Sequence, residues 1–353
     1  VNADEKISIF GLTPKEMETA FSLWNWPPYR ALQIIDWIYN KLAPDSEAMS
    51  NLSKADRARL NEEFNFSAAS ITSHQVSDDG TQKLLLTWPD GGSAETVMIP
   101  EGRRRTACVS SQVGCPVGCK FCASGINGLQ RNLSAAEIVE QIFMLNRVLA
   151  KDNERINHIV FMGMGEPLAN YANVIKAIRI LHDPACFNIG ARKITVSTVG
   201  LPSRIRQLAE EDLQLNLAIS LHAPNEPLRE SLIPWAEHFG LADILDAARY
   251  YFHRTGREVT LEYILLAGVN DQPKDARQLA ELCKGLRVNV NLIRYNPVPE
   301  LDFERPAADA CMNFQSILRH EGVNAHMRKS RGRDIDAACG QLRRKNLPVS
   351  EVL

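Results

Sequence analysis

Cys115, Cys119 and Cys122 place three thiols within eight residues, in the spacing C-x3-C-x2-C, with Phe121 just before the last of them. That is close enough for one loop to wrap a single metal cluster, with Gly118 permitting the tight turn. Three thiolates on a four-iron cluster leave one iron open. A structural zinc site wants four closed ligands, usually as two CxxC-like halves; no second half is present, although a distant fourth ligand would complete such a site. Eight cysteines in 353 residues are too few for a disulfide scaffold, and four of them, counting Cys108, fall within fifteen positions, which favours metal binding or catalysis. Cys186, Cys283 and Cys311 stand alone and read as buried small hydrophobes.

The net charge of −2 conceals a local asymmetry. Seven basic residues (Arg328, Lys329, Arg331, Arg333, Arg343, Arg344 and Lys345) lie between positions 328 and 345 against two acids, Asp334 and Asp336, and Arg103, Arg104 and Arg105 precede the cysteine group. Two basic runs flanking the candidate chemistry suit an anionic partner, or simply a solvated surface. No stretch approaches the roughly 20 consecutive apolar residues of a membrane helix. The polar start from Val1 to Lys6 offers no secretory or transit pattern, so a cytoplasmic protein without membrane contact is expected.

The elements that must position these groups follow from periodicity and caps. Thr13, Pro14 and Glu16 combine an N-cap, a proline at N1 and a capping-box glutamate, so a helix is expected to about Trp24, followed by helices over 29–42 and after Ser53. Residues 1–68 then form a small helical domain. Strands at 82–87 and 95–99 around a turn at 89–92 make residues 69–103 a β-hairpin linker. From 104 to 345 the rhythm is strand, loop, helix, with strands near 106–111, 156–162, 193–198, 215–221, 259–265 and 288–295, leaving a tail at 346–353. Six such units predict an α/β fold with a parallel sheet closed or partly closed as a barrel. In such folds chemistry gathers at the carboxyl ends of the strands. The cysteine loop, the segment from Gly163 through Gly165 and Glu166 to Pro167, Ser197 and Thr198, Ser220 to His222, and Asn296 all fall there. No GxGxxG occurs, which argues against a Rossmann-type methyltransferase.

The cysteine spacing resembles the signature of the radical S-adenosylmethionine (SAM) superfamily, whose partial (β/α)6 barrel agrees with the six units. The resemblance implies a [4Fe–4S] cluster on Cys115, Cys119 and Cys122 and SAM chelating the open iron. Gly165 and Glu166 match the position that holds the methionine amino group, while Ser197, Ser220, Leu221, His222 and Asn296 supply hydroxyl, backbone and amide groups for the rest of SAM. Longer segments, CVSSQVGC from Cys108, FMGMGEP from Phe161, AISLHAPN from Ala218 and DIDAACGQ from Asp334, resemble the RlmN family of adenine C2 methyltransferases acting on 23S rRNA and tRNA. The resemblance covers essentially the whole chain, and implies that residues 1–68 are an RNA-binding accessory domain.

It further implies that Cys339 takes a methyl group from one SAM, that a second SAM yields the radical activating it, that Glu95 accepts the ring proton, and that Cys108 releases product through a transient disulfide with Cys339. Read without the family, Cys339 would be a packed small residue, Cys108 a strand-interior one and Glu95 an exposed hairpin carboxylate. An electron donor such as flavodoxin and a monomeric state are expected. Two rivals remain: the sister Cfr-type adenine C8 methyltransferases, against which Val113 and Pro167 stand, and a non-catalytic RNA-binding protein with a structural metal.

Overall fold

Thr13 and Ser134 each close a capping box, accepting the amide hydrogen of Glu16 and Glu137, whose carboxylates reach back to the cap amides. They start the helices Pro14–Ser22 and Ala135–Leu149, as the sequence predicts. A computed structural model of the chain describes residues 6–343. Arg344, Lys345 and the tail at 346–353 therefore lie outside the described residues, as do residues 1–5 of the N-terminal domain. The expected second helix runs Tyr29–Ile35 and continues as one wide turn over Asp36–Asn40, and the third is Lys54–Glu63, capped by Ser53.

Ten strands form one sheet in chain order: β1 Ser70–Val76, β2 Gln82–Thr87, β3 Ser93–Glu101, β4 Arg104–Cys108, β5 His158–Phe161, β6 Ile194–Thr198, β7 Asn216–Ser220, β8 Val259–Leu265, β9 Val288–Arg294 and β10 Ala325–Arg328. From β4 to β10 every neighbouring pair is parallel. The six expected barrel strands are all present, and β10 adds a seventh. The hairpin region continues the same sheet, with β1 to β4 pairing antiparallel. Its first strand, β1, is an addition to the two expected.

Near-continuous apolar runs such as Leu217 to Ile219 fit strands covered on both faces. One hydrophobic core joins the barrel to the N-terminal helices, with Phe10 stacked on Phe143 at 4.7 Å. The buried Glu140 carboxylate fastens this joint, accepting from Ser67 Oγ, the Ala69 amide and Trp88 Nε1 at 3.0–3.1 Å. A second apolar cluster, including Val117, Phe121, Val199, Ile264 and Tyr295, packs around the cysteine loop. Among the described residues no helix is long and apolar enough to cross a membrane.

Candidate active site

A short hairpin, Gln112–Gly114 with Leu129–Asn132, pins both ends of the cysteine loop. Gly114 has φ +80° and a Cβ there would lie 2.0 Å from the Gly128 carbonyl oxygen, so only glycine lets the loop leave the strand this tightly. Cys115, Cys119 and Cys122 thereby line one cavity of about 150 Å³ together with Gly165, Glu166, Ser197, Ser220, His222 and Cys339. Burial pushes the Cys115 thiol up to about 12 and raises those of Cys119 and Cys122, with the neighbouring cysteines adding to it. Thiols in so dry a place ionise when a metal centre supplies the compensating positive charge. Among the described residues no three His, Cys, Asp or Glu side chains converge as ligands of one ion would.

Gly165 has φ +104°, and a Cβ there would meet Ser111 Oγ and the Gln112 side chain at 2.7 Å. This close approach lets the Glu166 amide donate to Gln112 Oε1 at 2.8 Å. The Glu166 carboxylate is buried and accepts the Leu168 amide at 2.9 Å and the Val199 amide at 2.7 Å, tying two strand-end loops together. Burial nevertheless raises its pKa to about 7. The Thr198 hydroxyl also acts on this carboxylate, and of its roughly four acceptor positions one remains for a cationic ligand. Ser197 Oγ and Ser220 Oγ stand 3.5 Å apart. His222 sits at φ +62°, its Nδ1 accepting the Ile264 amide at 3.1 Å and its ring edge-on to Phe121. Burial drops its pKa to about 3, so the ring is neutral. Leu221 is fully buried in the core and lies outside the cavity lining, its amide donating to the Glu262 carbonyl.

Cys339 lies on a loop held from three sides. The Ala123 amide donates to the Gly340 carbonyl at 2.8 Å and Ser124 Oγ to that of Leu342 at 2.7 Å, both from the cysteine loop. Asn296 Nδ2 donates to the Cys339 carbonyl at 3.3 Å and Gln341 Nε2 to that of Pro297 at 3.1 Å, from the end of β9. Asn296 thus holds the Cys339 loop and lines a wider neighbouring cavity of about 970 Å³ rather than the cysteine cavity. From the hairpin, Glu95 Oε2 accepts the Arg343 amide at 2.8 Å. Glu95 is not an exposed carboxylate: it is buried and ion-paired to Lys83 Nζ. Cys108 ends β4, opposite Val97 and Val160, where burial and the nearby Cys339 push its thiol up to about 12. All eight cysteines are free.

The basic run borders both the wide cavity and a rim concavity beside it. Arg328 points into the wide cavity, with Nη1 3.5 Å from Met162 Sδ and 4.0 Å from Glu262 Oε1, and Cys339 and Cys108 both contribute to its electrostatic environment. It is part of the site, not of a solvated stripe. Lys329, Arg331 and Arg333 join Arg294, Arg305 and Arg328 itself around a rim concavity of about 440 Å³, and Lys329 and Arg331 also line the wide cavity. Arg343 is ion-paired with Glu300, and Arg105 with Glu154. Sequence reasoning missed Lys83 and Glu262 as site residues and read Arg328 only as one of a basic run facing an anionic partner. The lone carboxylate in the mostly apolar run of β8 is the one local signal that could have found Glu262.

Comparison with known proteins agrees with this geometry. Residues 109–280 match the Radical SAM superfamily and residues 7–65 the ribosomal RNA large subunit methyltransferase N-terminal domain. A probable dual-specificity RNA methyltransferase RlmN from Bacillus cytotoxicus is 46% identical over 97% of this chain and 94% of its own length. One of the same name from Dictyoglomus turgidum is 46% identical over 95% and 96%. The crystal structure of a radical SAM methyltransferase from Sphaerobacter thermophilus superposes with a TM-score of 0.94 at 45% identity, covering 96% of this chain and 99% of that one. With these motifs, this barrel and relatives of such similarity along nearly its whole length, the chain belongs to the RlmN family of radical SAM methyltransferases.

Proposed function

We propose that this enzyme methylates C2 of adenine in 23S rRNA and tRNA, with a [4Fe–4S] cluster on Cys115, Cys119 and Cys122 and SAM held by Gly165, Glu166, Ser197, Ser220 and His222, while Leu221 backs this wall from the core and Asn296 holds the Cys339 loop. One observation carries the reading: Cys339 lies on the wall shared by the cysteine cavity and the wide cavity, where a group loaded from one side can be delivered to the other. When bound, the cluster and SAM supply first a methyl group and then a radical that activates it.

The chain's own residues do the rest. Cys339 carries the carbon on its sulfur and bonds it to the ring. Glu95 takes the C2 proton as the adduct gives up one electron, which the cluster would accept. The Cys108 thiolate attacks the Cys339 sulfur, forming the disulfide as the carbon–sulfur bond breaks and the freed carbon takes a proton to become the methyl group. The helical residues 1–68 serve as RNA-binding accessory domain, 69–103 as connecting hairpin and 104–345 as the catalytic barrel, in a cytoplasmic monomer reduced by a donor such as flavodoxin. Iron, sulfide and visible absorbance of anaerobically purified protein, with mass-spectrometric mapping of methyladenosine in treated RNA, test this reading. Colourless protein with one zinc, or methylation at C8, would overturn it.

A further inference from the structure

Glu262 stands in the middle of β8, in register with Ser220 on β7 and Asn291 on β9, and Asn291 is in register with His326 on β10. Residues paired across a sheet share a face, so this row of polar side chains crosses the barrel lumen. Glu262 is 3% exposed. Its Oε1 accepts from Asn291 Nδ2 at 3.2 Å and lies 4.0 Å from Arg328 Nη1, whereas its Oε2 is buried with no partner among the described residues. An orphaned buried carboxylate oxygen is costly, and an ionised carboxylate only accepts hydrogen bonds, so the missing partner is a donor. Burial raises this carboxyl's pKa, and the Arg328 guanidinium and Asn291 oppose that pull and favour the ionised form.

Five residues line both cavities: Met162, Glu262, Ile293, Arg328 and Cys339. The orphaned oxygen therefore belongs to the same wall as the cysteine that must meet the target base. Taking the proposed function as its premise, we propose that Glu262 binds the exocyclic amine of the target adenine and so selects this base. In a nucleotide the exocyclic amine is adenine's only N–H donor, and it lies on the ring two atoms from C2. Arg328 and Asn291 hold the carboxylate toward the ligand from its other side.

The test is a synthetic RNA stem-loop carrying adenosine or purine ribonucleoside at the target position, which differ only in that amine and both keep the C2 hydrogen. Binding and kcat/KM are measured with the cluster-loaded enzyme. The native enzyme should favour adenosine on the order of 10- to 100-fold, the range of a hydrogen bond to a charged group. Glu262→Leu should reduce this ratio to about one, and Glu262→Gln, which keeps one acceptor oxygen in the same shape and guards against misfolding, should give an intermediate ratio. SAM affinity, measured by equilibrium dialysis, should be unchanged in Glu262→Gln. An unchanged adenosine-to-purine ratio in both variants overturns the inference, and a loss of SAM affinity in its place assigns the carboxylate to a cofactor hydroxyl. Failure of the native enzyme to methylate adenosine at all would instead sink the proposed function.

Discussion

Lys83 Nζ lies 2.9 Å from Glu95 Oε1, and both side chains are almost wholly buried. The pair is diagonal across two strands, since Lys83 faces Val97 and Glu95 faces Leu85. Lys83 also donates to the Asp336 carbonyl at 3.2 Å, so the ion pair and the Cys339 loop are fastened together. Burial raises the Glu95 pKa and Lys83 works against it.

Removing one partner of such a pair leaves the other charge buried and uncompensated. Lys83→Met should therefore cost about 3 kcal/mol in urea unfolding, whereas Lys83→Met combined with Glu95→Met should cost clearly less than the sum of the two single variants. Strict additivity would mean that the pair contributes nothing as a unit.

That pair also marks where sequence reading stops. The cysteine loop and the segment ending in Glu166 are legible because their chemistry sits in consecutive residues at predictable strand ends. Lys83 becomes a site residue only through strand register, and Arg328 only because its side chain reaches Met162 and comes near Cys108 and Cys339. β10 escaped notice because Ala325–Arg328 is four residues with no clear alternation, and β1 because most of its side chains are exposed. Burial of Glu95 depends on the Arg343 amide, 248 positions away.

Glu166 gives a signed pH dependence. Its folded pKa is raised from 4.5 to about 7, so the folded, metal-free protein retains a proton that the unfolded chain releases. Stability should accordingly be fully present below about pH 4.5 and fall, by up to about 3 kcal/mol, as pH rises to about 7. Glu166→Gln should remove this component, leaving the parallel contributions of other buried carboxyls. Urea unfolding of metal-free protein at pH 5 and pH 8 measures it, and identical pH differences for the two proteins would refute the assignment.

Arg333 lines the rim concavity and Lys329 the rim and the wide cavity, whereas Arg328 reaches from the rim through the wide cavity to the cysteine cavity, beside Cys339. Replacing Lys329 and Arg333 by alanine should weaken RNA binding and lower the slope of log K against log salt by about 0.7 to 0.9 for each phosphate no longer neutralised. Arg328→Gln should leave that slope in place and impair turnover. Equal salt slopes for native and rim-depleted protein would return the rim to the solvated surface.

Under the proposed function, in which Cys339 carries the carbon and Cys108 only releases product, the two cysteines should fail differently. Their electrostatic coupling puts them in one neighbourhood, yet Cys108 lines neither cavity while Cys339 lines both. Cys339→Ala should bind its cluster but form no S-methylcysteine and no attachment to RNA. Cys108→Ala should load Cys339 and bond it to the ring, then stall as a covalent protein–RNA species that nuclease trims to a small mass increment. The double variant should form none, since the bond to RNA runs through Cys339. Intact-protein mass spectrometry before and after nuclease treatment reads all three. Normal turnover by Cys108→Ala, or adduct-free inactivity in both single variants, would show that the two thiols do not divide the work in this way.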